Sequence, residues 1–148
     1  MIVQVLIVVV LGGAAAGVAA LLRRRGADAP EQGAEWAVPV QLDRKDFVRP
    51  DAEWLVVVFS SATCLACQGT WEKAKHLESD QVAVQEVEAI ADKALHDRYQ
   101  VDAVPLVVVA DRGGVVRRSF VGPPTATDLW AALAELREPG SVPPGCTG

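Results

Sequence analysis

The 148-residue chain has no basic stripe outside Arg23, Arg24 and Arg25, and its formal charge is −5. Without clustered Lys and Arg there is no electrostatic footprint for a phosphate backbone, so no nucleic acid partner is expected. Histidine and cysteine are scarce, at two and three residues. A structural zinc site needs four ligands. Only Cys146, His76 and His96 could join Cys64 and Cys67, and none stands in paired spacing. The cysteine pair also has no methionine or histidine close by to complete a soft copper site. No metal and no cofactor are therefore expected. There is no self-similarity at periods of about 20 to 50 residues, which excludes repeat architectures, and the length suits one domain with small attachments.

What is present begins with an apolar end. Ile2 to Leu22 holds 21 residues with one polar side chain, Gln4. At about 1.5 Å per residue a helix of that length covers the roughly 30 Å hydrocarbon layer of a bilayer. Nothing before Ile2 is basic and the arginines follow the apolar run, the reverse of a cleavable signal peptide. Residues 1–22 are read as an uncleaved, single-pass transmembrane anchor. Gly13 and Gly17 would permit close helix approach, but Gly and Ala recur throughout the segment, so the oligomeric state stays open. The flank Arg23-Arg24-Arg25 places the C-terminal domain on the cytoplasmic face by the positive-inside rule. Residues 23–39 form a basic flank and a flexible linker rich in Ala, Gly, Glu and Pro, residues 40–137 a folded domain, and residues 138–148 a Pro/Gly tail.

The core is expected to begin at Trp54, with Phe47 packing upstream. Trp54 to Phe59 is a short, β-branched apolar run, as in a strand buried on both faces. From Leu65 to Leu77, Trp71, Ala74 and Leu77 fall at helical spacing. Val82 to Glu88 reads as a strand, Asp92 to Tyr99 as a helix, and Leu106 to Ala110 as a strand. Asp111-Arg112-Gly113-Gly114 turns the chain into a hairpin partner at Val115 to Phe120. A last helix runs from Thr127 to Arg137, capped by Thr125 or Thr127, with Leu129, Trp130, Leu133 and Leu136 facing the core. The order βαβαββα implies an α/β fold, a mixed sheet with helices on both faces.

Cys64-Leu65-Ala66-Cys67 on its own can be half a zinc site, a redox pair or an accident. Its position at the end of a buried strand and the start of a helix puts Cys64 near unsatisfied N–H groups and the positive helix end, which favours thiolate over thiol. Cys67, one turn on, is expected to be shielded. Cys64 is then the attacking sulfur on a substrate disulfide, and Cys67 resolves the mixed disulfide. The expected partner is a protein dithiol or disulfide.

The run Val56-Val57-Val58-Phe59-Ser60-Ser61-Ala62-Thr63-Cys64-Leu65-Ala66-Cys67 resembles the strand-to-active-site passage of the thioredoxin superfamily. Tyr99-Gln100-Val101-Asp102-Ala103-Val104-Pro105 is similar to the segment that leads into that family's cis-proline, and Asp111 to Gly114 followed by Phe120-Val121-Gly122 is similar to its hairpin and following glycine. The resemblance spans about 95 residues, from Leu42 to Arg137. It implies a thioredoxin fold, thiol-disulfide oxidoreductase activity with Cys64 and Cys67 catalytic, and substrate binding by Val104 and Pro105 with Thr63. Membrane-tethered members are often extracytoplasmic, which is the alternative to the charge-based orientation.

The pattern is also broken in places. General reductants of the family carry Trp-Cys-Gly-Pro-Cys where this chain has Thr63-Cys64-Leu65-Ala66-Cys67, so redox poise does not carry over. Val58 stands where they hold a buried acid. Glu72 and Glu88 are poor substitutes, read as solvated surface groups. Leu106 replaces the usual Thr after the proline, a packing change. These departures point to a dedicated partner. His76 and His96 are read as surface residues, Trp71 and Trp130 as packing residues. Cys146 could pair with Cys64, join two chains or do nothing. The alternative function is a non-catalytic binding module with a structural disulfide at Cys64 and Cys67.

Overall fold

A strand that is apolar from end to end but for its last residue needs cover on both faces, and β1 (Trp54–Ser60) is buried along its whole length. The computed structural model describes residues 36–142. After a 3-10 turn at Arg44–Asp46 and β1 come α1 (Leu65–Ala74), running into a second 3-10 turn at Lys75–Leu77, and β2 (Val82–Glu88). Then follow α2 (Lys93–Arg98), β3 (Leu106–Asp111), β4 (Val116–Val121) and α3 (Ala126–Arg137). The sheet order is β2-β1-β3-β4. β1 is parallel to β2 and antiparallel to β3, and β3 is antiparallel to β4. The mixed sheet with helices on both faces expected from the element order is what forms.

Alternation divides the strands between two cores. Leu55, Val57 and Phe59 of β1, Ala83 and Val87 of β2, and Leu106, Val108 and Ala110 of β3 pack with Leu42, Phe47 and Ala52, joined by Leu95 and Tyr99 around α2. Trp54, Val56, Val58, Val82, Val84, Val107 and Val109 fill the other face beneath Ala74 and Leu77 of the first helical stretch and Leu129 and Leu133 of α3. β4, on the edge, is mostly exposed, and Arg117 and Arg118 lie in solvent there, as suits an edge that must not pair with another chain.

The core begins earlier than Trp54. Leu42 is buried because its segment is stitched to the hairpin: Leu42 N–H donates to the Gly114 carbonyl at 2.8 Å and Val116 N–H to the Val40 carbonyl at 3.0 Å. Gly114, at φ +81°, makes that approach possible, since a Cβ there would lie 2.0 Å from the Leu42 carbonyl oxygen. Arg44 is buried too, its guanidinium donating to the carbonyls of Ala52, Asp111 and Arg49, which ties the same segment to the rim of the sheet.

Two side chains depart from expectation. Trp130 is 51% exposed. The buried residues of α3 are Leu129, Ala132 and Leu133, and Trp130, one residue and about 100° from Leu129 on a 3.6-residue helix, leaves that stripe. His96 is buried rather than on the surface: its Nε2 pairs with the Val87 carbonyl at 3.0 Å and its ring meets Phe59 edge-on. α3 begins at Ala126, capped by Thr125, whose hydroxyl accepts from Asp128 N–H while the Asp128 carboxylate accepts from Thr125 N–H.

The proposed anchor at 2–22, the arginine flank, the linker up to residue 35 and Cys146 lie outside the described residues. Among the described residues no helix is long and apolar enough to cross a membrane.

Candidate functional site

The pairing register brings one edge of the sheet to a common end. Phe59 of β1 pairs with Leu106 of β3, Ser60 with Glu88 of β2, and Leu106 with Val121 of β4. The loop from β1 to Cys64, the segment ending at Pro105 and the turn at Gly122 therefore meet at this edge. Gly122 N–H donates to the Pro105 carbonyl at 2.8 Å.

Cys64 and Cys67 are joined by a disulfide. Cys64 is the N-cap of α1, with extended backbone, and its sulfur accepts from the Cys67 N–H at 3.1 Å. No acidic residue occupies the first turn of the helix, so no carboxylate competes there for the orphan N–H groups or for the positive helix end, both of which favour a thiolate at Cys64. Cys64 is half-buried, whereas Cys67 is 1% exposed. The sulfur expected to attack is thus reachable, and the one expected to resolve is shielded. Thr63 and Leu65 beside it stand in solvent.

The Val104–Pro105 peptide bond is cis. Pro105 is buried and Val104 half-buried. Neither the N–H nor the carbonyl of Val104 takes a backbone partner among the described residues. The geometry therefore places Cys64, Cys67, Thr63, Val104 and Pro105 on neighbouring segments of one edge.

Glu88, read from sequence as a solvated surface group, is a clamp. One carboxylate oxygen accepts from Ala62 N–H at 2.9 Å, and the other from Ile90 and Ala91 N–H, each at 2.8 Å. These bonds, Ala91 first, then Ala62 and Ile90, hold its carboxyl below the ordinary range. The loop that delivers Cys64 is fixed in this way to the loop after β2, and the Ala89 N–H reinforces the link by donating to the Ser60 carbonyl at 3.0 Å. Glu72 pairs instead with Lys75 on the outside of α1. A second polar pair was not foreseen: the Ser60 hydroxyl donates to Glu86 at 2.7 Å. The signal was in the alternation, because Glu86 and Glu88 continue the parity of Val82 and Val84, whose face is inward. Among the described residues no cluster of three metal-ligating side chains occurs.

A family model described as Thioredoxin matches residues 40–135. No curated protein matches the chain in sequence. Among solved structures, a mutant thioredoxin from Halobacterium salinarum is similar at 24% identity and TM-score 0.54, covering 64% of this chain and 81% of that one. The germline-specific thioredoxin Deadhead from Drosophila melanogaster is similar at 23% identity and TM-score 0.51, covering 59% and 84%. Chlamydomonas reinhardtii thioredoxin f2 is similar at 18% identity and TM-score 0.50, covering 68% and 97%. At these identities the likeness to the solved structures is one of fold.

Proposed function

The chain belongs to the thioredoxin family, and on that premise we propose that it is a membrane-tethered thiol-disulfide oxidoreductase acting on a protein partner. One observation carries the reading: a disulfide whose first sulfur caps a helix and is reachable, whose second is shielded, and which shares its edge of the sheet with a cis Val104–Pro105 bond. In the reduced chain the Cys64 thiolate attacks one sulfur of a substrate disulfide. The substrate S–S bond breaks, one substrate sulfur leaves as thiolate, and a Cys64–substrate disulfide forms. Cys67 then loses its proton and attacks the Cys64 sulfur, which closes the Cys64–Cys67 bond and releases the second substrate thiolate. Two protein thiols are oxidised and one substrate disulfide is reduced. The reverse sequence oxidises a dithiol.

Val104, Pro105 and Thr63 form the substrate side of this site. The unpaired backbone of Val104 suits an extended substrate segment, and the exposed Thr63 and Leu65 border the reacting sulfur. The anchor at Ile2–Leu22 tethers the domain to the membrane, and the Arg23–Arg25 bias favours the cytoplasmic face, where reduction is the expected direction. Insulin reduction by the full-length chain in detergent, compared with Cys64→Ser, tests the activity. Turnover that vanishes with Cys64→Ser supports it, and turnover that survives the substitution, or none in the parent, overturns it. Acid-quenched alkylation in intact cells, with a membrane-impermeant reagent in parallel, tests the side: a reduced, protected pair supports the cytoplasmic face, and external labelling overturns it.

A further inference from the structure

The resolving step needs Cys67 to shed a proton, and at 1% exposure Cys67 is shut off from the bulk water that could take it. The inward stripe of α1 is Cys67, Thr70 and Ala74. Ala74 of this stripe packs on the face carrying Trp54, Val56 and Val58 of β1 and Val82 and Val84 of β2, and Cys67 lies two turns before it, toward the end where β1 runs out into the loop to Cys64. That face is apolar except at this end, where Ser60 follows Val58 by alternation and Glu86 follows Val84. Val58 and Glu86 are direct partners in the parallel ladder. Ser60 is 1% exposed, and its hydroxyl donates to Glu86 Oε1 at 2.7 Å.

We propose that Glu86, held by Ser60, takes the proton from Cys67 as the mixed disulfide resolves. The inference rests on the oxidoreductase reading above. In this step the Cys67 S–H bond breaks and its proton moves to the Glu86 carboxylate. The Cys67 sulfur bonds to the Cys64 sulfur, the bond from Cys64 to the substrate breaks, and the substrate sulfur leaves with the electron pair. Glu86 then returns the proton to water. Its capacity is free for this task. Oε2 has no hydrogen-bond partner among the described residues, whereas a carboxylate offers about four acceptor positions. Of the charged and titratable groups on the surrounding elements, His76 of the α1 stretch is exposed to solvent, and the following are engaged. Glu88 and Asp92 hold backbone N–H groups, and Lys75 and Glu72 of the α1 stretch pair with each other. Lys73 donates to the Pro124 carbonyl, His96 of α2 pairs with the Val87 carbonyl, and Arg137 of α3 donates to Gln81.

The test is stopped-flow mixing of the reduced full-length chain, carrying Cys146→Ser, with one equivalent of dithiobis-nitrobenzoate. The first coloured thiolate released reports attack by Cys64, and the second reports ring closure by Cys67. With Glu86→Gln the first release is expected to keep its rate. The second is expected to slow about a hundredfold at neutral pH, the low end of what a positioned base supplies, and to rejoin the parent as pH passes the ordinary thiol range near about 8.5. A second release as fast as the parent's at every pH overturns the proposal. Ser60→Ala removes the hydroxyl and keeps the carboxylate, so closure is expected to slow less than tenfold, and slowing equal to that of Glu86→Gln overturns the assignment of the proton to Glu86. Where Glu86→Gln fails to fold, Glu86→Asp serves: closure that keeps the parent's pH profile supports a carboxylate base, and a profile shifted to the thiol range overturns it. Absence of the first release in the parent overturns the oxidoreductase reading itself, and this proposal with it.

Discussion

Replacing Gly114 by alanine tests whether the segment before β1 is part of the core. Gly114 lies at φ +81°, and a Cβ there would sit 2.0 Å from the Leu42 carbonyl oxygen and 2.8 Å from Gln41 Nε2. The left-handed conformation costs an L-residue about 1 to 2 kcal/mol. The glutamine amide can swing away, but the Leu42 carbonyl is backbone and can yield only if the segment before β1 moves. Such movement breaks the 2.8 Å bond from Leu42 N–H to the Gly114 carbonyl, a loss of about 1 kcal/mol. It also draws Leu42, now 1% exposed, partly out of the core, forfeiting about half of a burial worth about 1.5 to 3 kcal/mol. The sum, about 3 to 4.5 kcal/mol, is a large share of the roughly 5 to 15 kcal/mol that holds a domain together. Gly122→Ala is the control, since Gly122 has φ +91° with no atom within 4 Å of its added Cβ, so only the conformational cost of about 1 to 2 kcal/mol applies. Urea unfolding of the full chain in mild detergent, followed by tryptophan fluorescence, reads both variants. Equal destabilisation by Gly114→Ala and Gly122→Ala would refute the reasoning, because the close approach of Leu42 would then count for nothing.

Two further outcomes follow from the structure. Glu88 has its folded-state titration depressed below its ordinary value of 4.5 by the N–H groups of Ala91, Ala62 and Ile90, so its contribution is present above that value and is lost as pH falls through the depressed one. Amide exchange at Ala62, Ile90 and Ala91 is expected to stay protected at pH 4.5 and to open only below it, with Glu88→Gln abolishing the pH dependence; protection already lost at pH 4.5 would contradict the clamp. On α3, Leu129→Ala is expected to cost about 2 to 5 kcal/mol as a buried leucine, while Trp130→Ala, at an exposed position, stays within about 0.5 kcal/mol, and chemical denaturation of the pair decides between this orientation and one with Trp130 inward.

The element order and the mixed sheet were legible because β1 from Trp54 to Phe59 and β3 from Leu106 to Ala110 are apolar at every position, which only a doubly covered strand tolerates, and because Cys64 follows such a strand at the point where helical spacing begins. Val104 and Pro105 were legible only through resemblance. Trp130 was misplaced because a four-residue apolar set on a helix admits two neighbouring stripes, and the contact with β1 and β3 selects Leu129 and Leu133. His96 was misplaced because its helix is short and polar around it. What draws it inward is the Val87 carbonyl and the ring of Phe59, neither of which is near it in sequence.

Glu86 and Glu88 show where spacing stops being informative. They are two residues apart, share the parity of one strand face, and end the same strand, so any rule based on periodicity treats them alike. Their work diverges because of what β1 presents opposite. Beyond the last pair of the ladder the chain turns away at Ser61 and exposes the Ala62 N–H, and a carboxylate that meets several N–H donors is held by all of them and titrates low. Two residue pairs earlier β1 still runs as a strand, its N–H groups are committed to the ladder, and among the described residues the one donor to Glu86 is the Ser60 hydroxyl. Protonating Glu88 weakens the three N–H bonds that fix the loop delivering Cys64. Protonating Glu86 on Oε2 leaves its bond from Ser60 on Oε1 in place, so of the two carboxylates Glu86 is the one that can pass a proton without disturbing the segment that positions Cys64.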